Sequence, residues 1–270
     1  MATTSGYKGK PMDRSVLVNV LGFPATLLHG DPTVLDRWAW LKKRLPRTRN
    51  NERLLDVGCG SGAFSIGAAL RGYRALGVSW DERDQLVARE RAKLCRASCV
   101  QFEVMDVREL DQRADLASGF DVVICLETIP FIIDDTKLMT SMAHCLKPGG
   151  RLLLSAPYLL YKAISLSDMG PFGSVEDGRP VRRGYNKVML EELCDNSGLK
   201  VECVEYCGGY LSQRIAGIMR SVARIHPLLG WLVVLPLRVF PPIFDPVVTR
   251  VLRWPHYSIC LEAYRPRRGY

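Results

Sequence analysis

One stretch constrains this chain more than any other. Leu54-Leu55-Asp56-Val57-Gly58-Cys59-Gly60-Ser61-Gly62 runs from an apolar β-type segment through three glycines into a helical pattern. Glycines at this spacing permit a tight turn and a close backbone approach to a ligand. Around this loop, apolar runs alternate with helical stretches. Strands are expected at 53–57 (β1), 73–79 (β2), 100–105 (β3), 120–126 (β4), 151–156 (β5), 200–206 (β6) and 257–264 (β7). Helices are expected over 63–71, 82–97, 134–146 and 186–196, with Lys147-Pro148-Gly149-Gly150 stopping the third. The fourth strand, FDVVICL, is apolar throughout, as in a parallel sheet covered on both faces. Repeated β-α units predict a doubly wound α/β sheet with right-handed crossovers, and ligands beyond the carboxyl ends of its strands. Upstream, residues 11–50 read as helical, and Asp31 at the N-cap with Pro32 at N1 opens a helix through Leu45.

Charge at the loop narrows the ligand. Gly58, Gly60 and Ala63 also fit a dinucleotide fingerprint, G-x-G-x-x-G/A. Asp56, two residues before the first glycine, argues against it, because a carboxylate there repels a pyrophosphate. It suits a ligand carrying an amine and a sulfonium, which is the charge logic of S-adenosylmethionine.

The whole chain is unevenly charged. Its net +9 divides into +6 over residues 1–53, −4 over 54–207 and +7 over 208–270. Basic flanks point to nucleic acid or to an anionic membrane surface. In the C-terminal flank the arginines are widely spaced among apolar residues, as in PLLGWLVVLPL at 227–237. No stretch reaches the roughly 18–20 apolar residues needed to span a bilayer. Pro236, Pro241, Pro242 and Pro246 would also break a spanning helix. A buried helical lid and a segment lying in the membrane interface both fit. The nine cysteines are odd in number, scattered, and at no zinc-finger spacing. Reduced, buried thiols in a cytoplasmic protein are expected, with no metal site. Residues 1–10 are polar and lack the apolar centre of a signal peptide, so none is expected.

Five motifs stand in order: LLDVGCGSG at 54–62, ALGVSWD at 75–81, FEVMDVREL at 102–110, FDVVICLETI at 120–129 and LKPGGRLLLSAP at 146–157. On these, the region 50–157 resembles the class I S-adenosylmethionine-dependent methyltransferases, and within them the ubiquinone-pathway-like O-methyltransferases. The resemblance implies a Rossmann-like seven-stranded sheet with antiparallel β7 and a helical N-terminal cap; where the β6–β7 connection of this fold is often short, this chain carries a long β6–β7 insertion of about 50 residues. The organisation expected is a cap at 1–50, a cofactor-binding core at 51–206 with a substrate insertion at 158–184, an apolar lid or membrane-docking insertion at 207–256, and a final strand with basic tail at 257–270. By position, Asp56, Gly58 and Gly60 would hold the methionine part of the cofactor. Asp106 and the Val107 amide would face the adenine, and Cys125 to Glu127 would line the sulfonium end.

Two departures from the family pattern stand out. Where the family usually has an acidic residue for the ribose, this chain has Ser79, followed by Trp80 and Asp81; Trp80 is expected against the adenine and Asp81 near the ribose. Where the relatives commonly read E-x-x-E-H, this chain reads Glu127-Thr128-Ile129-Pro130-Phe131, without the second Glu and the His. A general base for O-methylation must then come from elsewhere. The candidates are Glu127, His29 and Tyr185, with His256, Tyr158 and Tyr161 behind them. Methylation of an electron-rich carbon needs no strong base and fits the missing His better. Arg182 and Arg183 are candidates for an acidic acceptor group. The expected activity is methyl transfer (EC 2.1.1) to an O or C atom of a small apolar or lipid-linked metabolite, such as a natural product of secondary metabolism. The alternatives are a cyclase-like enzyme that binds S-adenosylmethionine without methyl transfer, and an RNA methyltransferase. Against RNA, the chain has no N/D-P-P-Y/F motif, no evident cysteine pair for attack at a base carbon, and no added RNA-binding module.

Overall fold

The computed structural model describes residues 12–267. The first eleven residues of the expected cap and the last three of the basic tail lie outside the described residues. Seven strands form one sheet: β1 (Arg53–Val57), β2 (Arg74–Ser79), β3 (Val100–Val104), β4 (Phe120–Leu126), β5 (Leu146–Pro157), β6 (Lys200–Cys207) and β7 (Ser258–Tyr264). Their order is β3-β2-β1-β4-β5-β7-β6. The first five run parallel, and β7 lies antiparallel between β5 and β6. The chain reverses direction across the sheet between β1 and β4, which places a ligand crevice at their carboxyl ends.

Three helices precede the sheet: α1 (Met12–Leu21), α2 (Phe23–Leu28) and α3 (Val34–Arg44). The crossovers carry α4 (Ala63–Ala69), α5 (Glu82–Leu94), α6 (Asp135–Cys145) and α7 (Lys187–Asn196). Side chains of β4 alternate between the two faces, as strand geometry requires. Val123 and Cys125 join Leu55 and Val57 in a core against Leu138 and Met142 of α6 and Leu190 of α7. Val122, Ile124 and Leu126 join Leu54 in a second core against Trp40 and Leu41 of α3 and Ala68 of α4. Each fully buried leucine contributes about 1.5–3 kcal/mol relative to leaving it in water.

The connection from β6 to β7 carries α8 (Tyr210–Ala223), α9 (Pro227–Val234) and α10 (Pro241–Val251). Its neck is closed where the Tyr257 N–H donates to the Gly208 carbonyl at 2.7 Å. Helix α10 caps α8 from outside. Asp245 accepts the N–H groups of Leu211 and Ser212, and Thr249 Oγ1 accepts that of Tyr210. A Cβ on Gly209 would stand 2.1 Å from Thr249 Oγ1, so this close approach requires glycine. Among the described residues, no helix is long and apolar enough to cross a membrane.

Three local expectations are corrected. Of the thiols expected to be buried, Cys99 is exposed and Cys95, Cys203 and Cys207 are half-buried. Strand β5 begins at Leu146, directly after α6, and not at Arg151, so the run Lys147 to Gly150 that stops the helix is already strand. The segment after β7 accounts for this: the Gly149 N–H donates to the Arg265 carbonyl and the Arg265 N–H to the Gly150 carbonyl. Asp31 is not the N-cap of α3, which Thr33 occupies. Asp31 Oδ1 instead accepts from both the N–H and the hydroxyl of Thr33.

Candidate active site

The glycine loop leaves β1 with Gly58, Gly60 and Gly62 all at positive φ. Gly58 is pressed against the tip of β4, where an added Cβ would meet Thr128 Oγ1 at 2.1 Å. Gly60 meets only Asp84 Oδ2, at 3.8 Å, so one side of the loop stands open for a ligand. The loop is bolted from α5. Gln85 Nε2 donates to Cys59 Sγ and to the Gly60 carbonyl, and Arg91 donates to the Ser61 hydroxyl. Asp56 lies beneath it, 1 % exposed, and accepts the Ser65 hydroxyl of α4 at 2.6 Å. Burial pushes its carboxyl up to about 7, while Ser65 opposes that shift. Asp56 is thus a strut under the loop, and its charge acts from below.

At the tip of β2, Ser79 is buried and Trp80 is 62 % exposed. Asp81 Oδ1 accepts the N–H groups of Arg83 and Asp84, which caps α5. At the tip of β3, Asp106 is chelated by Arg108, which holds its carboxyl below the usual range. Arg108 reaches on to Glu176 at 2.7 Å, so the 158–184 segment closes over this end. The Asp106 carboxylate therefore faces a guanidinium as well as any adenine. The side chains of Val107 and Cys125 point into the apolar core, and burial raises the Cys125 thiol to about 12.

Next to this cradle lies a cavity of about 220 Å3. Its walls come from the α2–α3 turn (Asp31, Thr33), from α3 (Arg37), from the β4 tip (Glu127, Pro130, Phe131), from the 158–184 segment (Tyr161, Asp168, Phe172, Pro180, Arg182, Arg183) and from Tyr257 before β7. Glu127 is its centre. Its backbone has φ 62°, a left-handed conformation costly for a residue with a side chain. Three donors converge on one of its oxygens. Ser258 Oγ lies 2.7 Å from Oε1, Ser155 Oγ 3.1 Å and Arg37 Nη1 3.5 Å. None of these contacts uses Oε2. Thr128, the next residue, donates to the Gly58 carbonyl, so the cavity and the glycine loop share a wall.

Of the other sequence candidates, Tyr161, Arg182 and Arg183 line this cavity and the rest fall elsewhere. Tyr185 is fully buried and donates to Asp135 Oδ2 at 2.9 Å, outside the cavity wall. His29 stacks on Trp231 of α9, with ring centroids 5.8 Å apart. Tyr158 and His256 both pack on Tyr206. The structure brings neither His29 nor Tyr185 to Glu127, because both belong to packing contacts between elements. Tyr161 does line the cavity, and burial raises its hydroxyl to about 12, which suits a donor and not a base. Arg182 donates to the Ile132 and Ile133 carbonyls and Arg183 to that of Tyr161, so both are engaged by backbone.

Sequence reasoning missed Arg37, Tyr257 and Arg220. Arg220 of α8 binds Asp168 at 3.1 Å and Asp31 at 3.3 Å, joining all three variable segments behind the cavity. These partners lie 52 and 189 residues away, and no local pattern announces them. Among the described residues there is no group of His, Cys, Asp or Glu suited to a metal ion.

The family described as Methyltransferase domain matches residues 32–204. A ubiquinone biosynthesis O-methyltransferase of Marinobacter nauticus is 36 % identical over 104 residues, covering 38 % of this chain and 43 % of that protein. One from Xylella fastidiosa is 30 % identical over 149 residues, covering 54 % and 57 %. The chain thus spans roughly half the length of these curated relatives. Among solved structures, the [4+2]-cyclase SpnF aligns with TM-score 0.61 at 16 % identity, over 95 % of this chain and 97 % of that one. Phosphoethanolamine N-methyltransferase 2 of Haemonchus contortus, in complex with S-adenosyl-L-methionine, aligns with TM-score 0.59 at 20 % identity, over 94 % and 60 %. Both show the same fold. With the sheet order, the glycine loop and a family match over more than half its length, the chain belongs to the methyltransferase-domain family of class I S-adenosylmethionine-dependent methyltransferases.

Proposed function

We propose that this protein transfers a methyl group from S-adenosylmethionine to an O or C atom of a small apolar or lipid-linked acceptor held in the cavity at Glu127. The cofactor supplies the electrophilic methyl group. The open side of the loop at Gly60 would hold its methionine part, above the Asp56 carboxylate. The exposed Trp80 face and Asp81 would border the nucleoside. The cavity supports an acceptor with a polar reacting end and an apolar body, because its lining mixes Glu127, Arg37 and Tyr161 with Phe131, Phe172 and Pro180.

The observation that carries this reading is the Glu127 carboxylate. Ser155, Ser258 and Arg37 hold Oε1, and the strained backbone aims the group at the cavity beside the cofactor loop. Oε2 then accepts a hydrogen bond from the acceptor and takes up its proton as the new bond forms. Alignment of acceptor and methyl group supplies the larger share of catalysis. The same reading makes the protein a peripheral one, meeting a membrane-dissolved acceptor at the bilayer surface.

The test is a tritiated-methyl transfer screen of small-molecule and lipid extracts, with product mass spectrometry and calorimetric titration of the cofactor. Glu127→Gln should lower kcat about 100-fold while cofactor affinity stays unchanged. Cofactor binding with no labelled product from any extract would favour a cyclase-like enzyme. Label recovered only in RNA would move the acceptor to nucleic acid.

A further inference from the structure

The β6–β7 insertion leaves an apolar surface that none of the described residues covers. Helices α9 and α10 both pack on α8, and each buries a different residue set against it. In α9, Gly230 sits so close to α8 that a Cβ would meet the Met219 carbonyl at 2.7 Å. In α10, Asp245 and Thr249 turn inward to cap α8. The remaining faces are exposed. Leu228, Leu232 and Val233 stand out from α9, while Ile243, Val247 and Val251 follow one another at helical spacing along α10. Val251 is 74 % exposed and Ile225, just before α9, is 83 % exposed. Isolated exposed apolar residues need no explanation, but rows on two helices that both pack on α8 mark an interaction surface.

Charge selects the partner. Residues 208–256 contain six arginines and one acidic residue, Asp245. Asp245 is buried as the helix cap, so it offers the surface no negative charge. Arg220 and Arg238 turn inward, Arg238 onto the carbonyls of Leu28 and Gly30. Arg224, Arg250 and Arg253 are exposed beside the apolar rows. A second copy meeting this face across a two-fold axis would bring arginine to arginine. A bilayer with anionic headgroups accepts both features, with apolar side chains below the headgroups and guanidinium groups among them.

We propose that the outer faces of α9 and α10, with Arg224, Arg250 and Arg253 at their rim, dock the protein on an anionic phospholipid bilayer. The proposal deepens the reading of an apolar or lipid-linked acceptor, on which it rests for its purpose. The docked helices are also tied to the acceptor cavity. Trp231 Nε1 and Arg238 donate to the Leu28 carbonyl, three residues before the cavity residue Asp31. Arg220 of α8 grips Asp31 itself. An acceptor leaving the bilayer therefore meets the wall that these residues hold.

The experiment is flotation of the full-length protein with vesicles of phosphatidylcholine alone or mixed with phosphatidylglycerol, beside calorimetric titration of S-adenosylmethionine. The protein should float with the mixed vesicles, and less so as salt is raised. Arg250→Ala with Arg253→Ala should weaken partitioning about thirtyfold, at about fivefold for each arginine. Ile243→Asp with Val247→Asp should weaken it at least about tenfold, from loss of apolar burial and repulsion from the headgroups. All of these positions are exposed, so cofactor affinity should not change in any variant. Equal flotation of wild type and the double aspartate variant would overturn the proposal. So would no flotation together with a concentration-dependent dimer that the same variant dissociates, which would assign the face to a second copy. Failure to bind the cofactor would count against the methyl-transfer reading and leave the flotation result intact.

Discussion

The nucleotide-loop core and the β6–β7 insertion handle apolar residues in opposite ways. In the core, every residue of β4 except Asp121 is buried, and Asp121 is held by Lys147 and the Arg53 N–H. In the insertion, α9 is almost wholly apolar in sequence, yet among its residues with described burial only Gly230 and Val234 are buried. The difference teaches that an apolar run reports burial only where sheet and helix layers close on both sides of it. The core strands have such layers, from α3 and α4 on one face and α6 and α7 on the other. The insertion is a single layer laid on α8, and among the described residues its outer face has no second layer.

Four substitutions break or sharpen this comparison. The largest effect belongs to the core: Leu55→Ala should cost about 2–5 kcal/mol in urea unfolding, from lost burial and the cavity left behind. Next comes the junction of the two regions, where Asp36 of α3 lies against the insertion. Burial pushes its carboxyl up to about 7; Ser212 opposes that shift and the Asp245 charge adds to it. The folded state then binds a proton between about pH 4 and 7 that the unfolded chain has released. Stability from this group is present below pH 4 and falls as pH rises, by on the order of 1.4 kcal/mol per pH unit across that window. Asp36→Asn should remove that decline, and a wild-type pH profile with the same slope as the variant's would contradict it.

Asp245→Ala uncaps α8 and should cost about 1 kcal/mol, seen as faster amide exchange at Leu211 and Ser212. The smallest effect is the counterpart of the first. Leu232→Ala removes the same atoms as Leu55→Ala from an exposed site, and stability should stay within about 0.5 kcal/mol. A loss as large as that of Leu55→Ala would mean that this face is covered in solution.

Much of the core was legible because its signals are local. The glycine loop, the apolar strands and the breaks between them depend on neighbours within a few residues. The bounds of β1 and β4 agree with those read from sequence, because a nearly continuous apolar run marks a strand covered on both faces. The early start of β5 was missed because Arg265, 115 residues beyond Gly150 and just past β7, supplies the hydrogen bonds that hold the Lys147 to Gly150 run extended. Asp31 misled for a similar reason: its carboxylate serves Thr33 and Arg220, not the first turn of α3. Within the candidate site, Asp56 and Glu127 could be named from the motif. That one is a strut and the other points into a cavity depends on Ser65, Ser155, Ser258 and Arg37, which come from four different elements.

By itself, then, the order of residues determined the doubly wound sheet, the ligand loop after β1 and the apolar, basic character of the segment before β7. These follow from period, glycine placement and charge, which need no partner to be read. Only the tertiary structure decided which side chains share the cavity, that His29 and Tyr185 stay out of it, and which faces of α9 and α10 meet solvent. Those outcomes depend on contacts between segments far apart in the chain, and whether a polar or apolar group is buried is settled only when the opposing surface is in place.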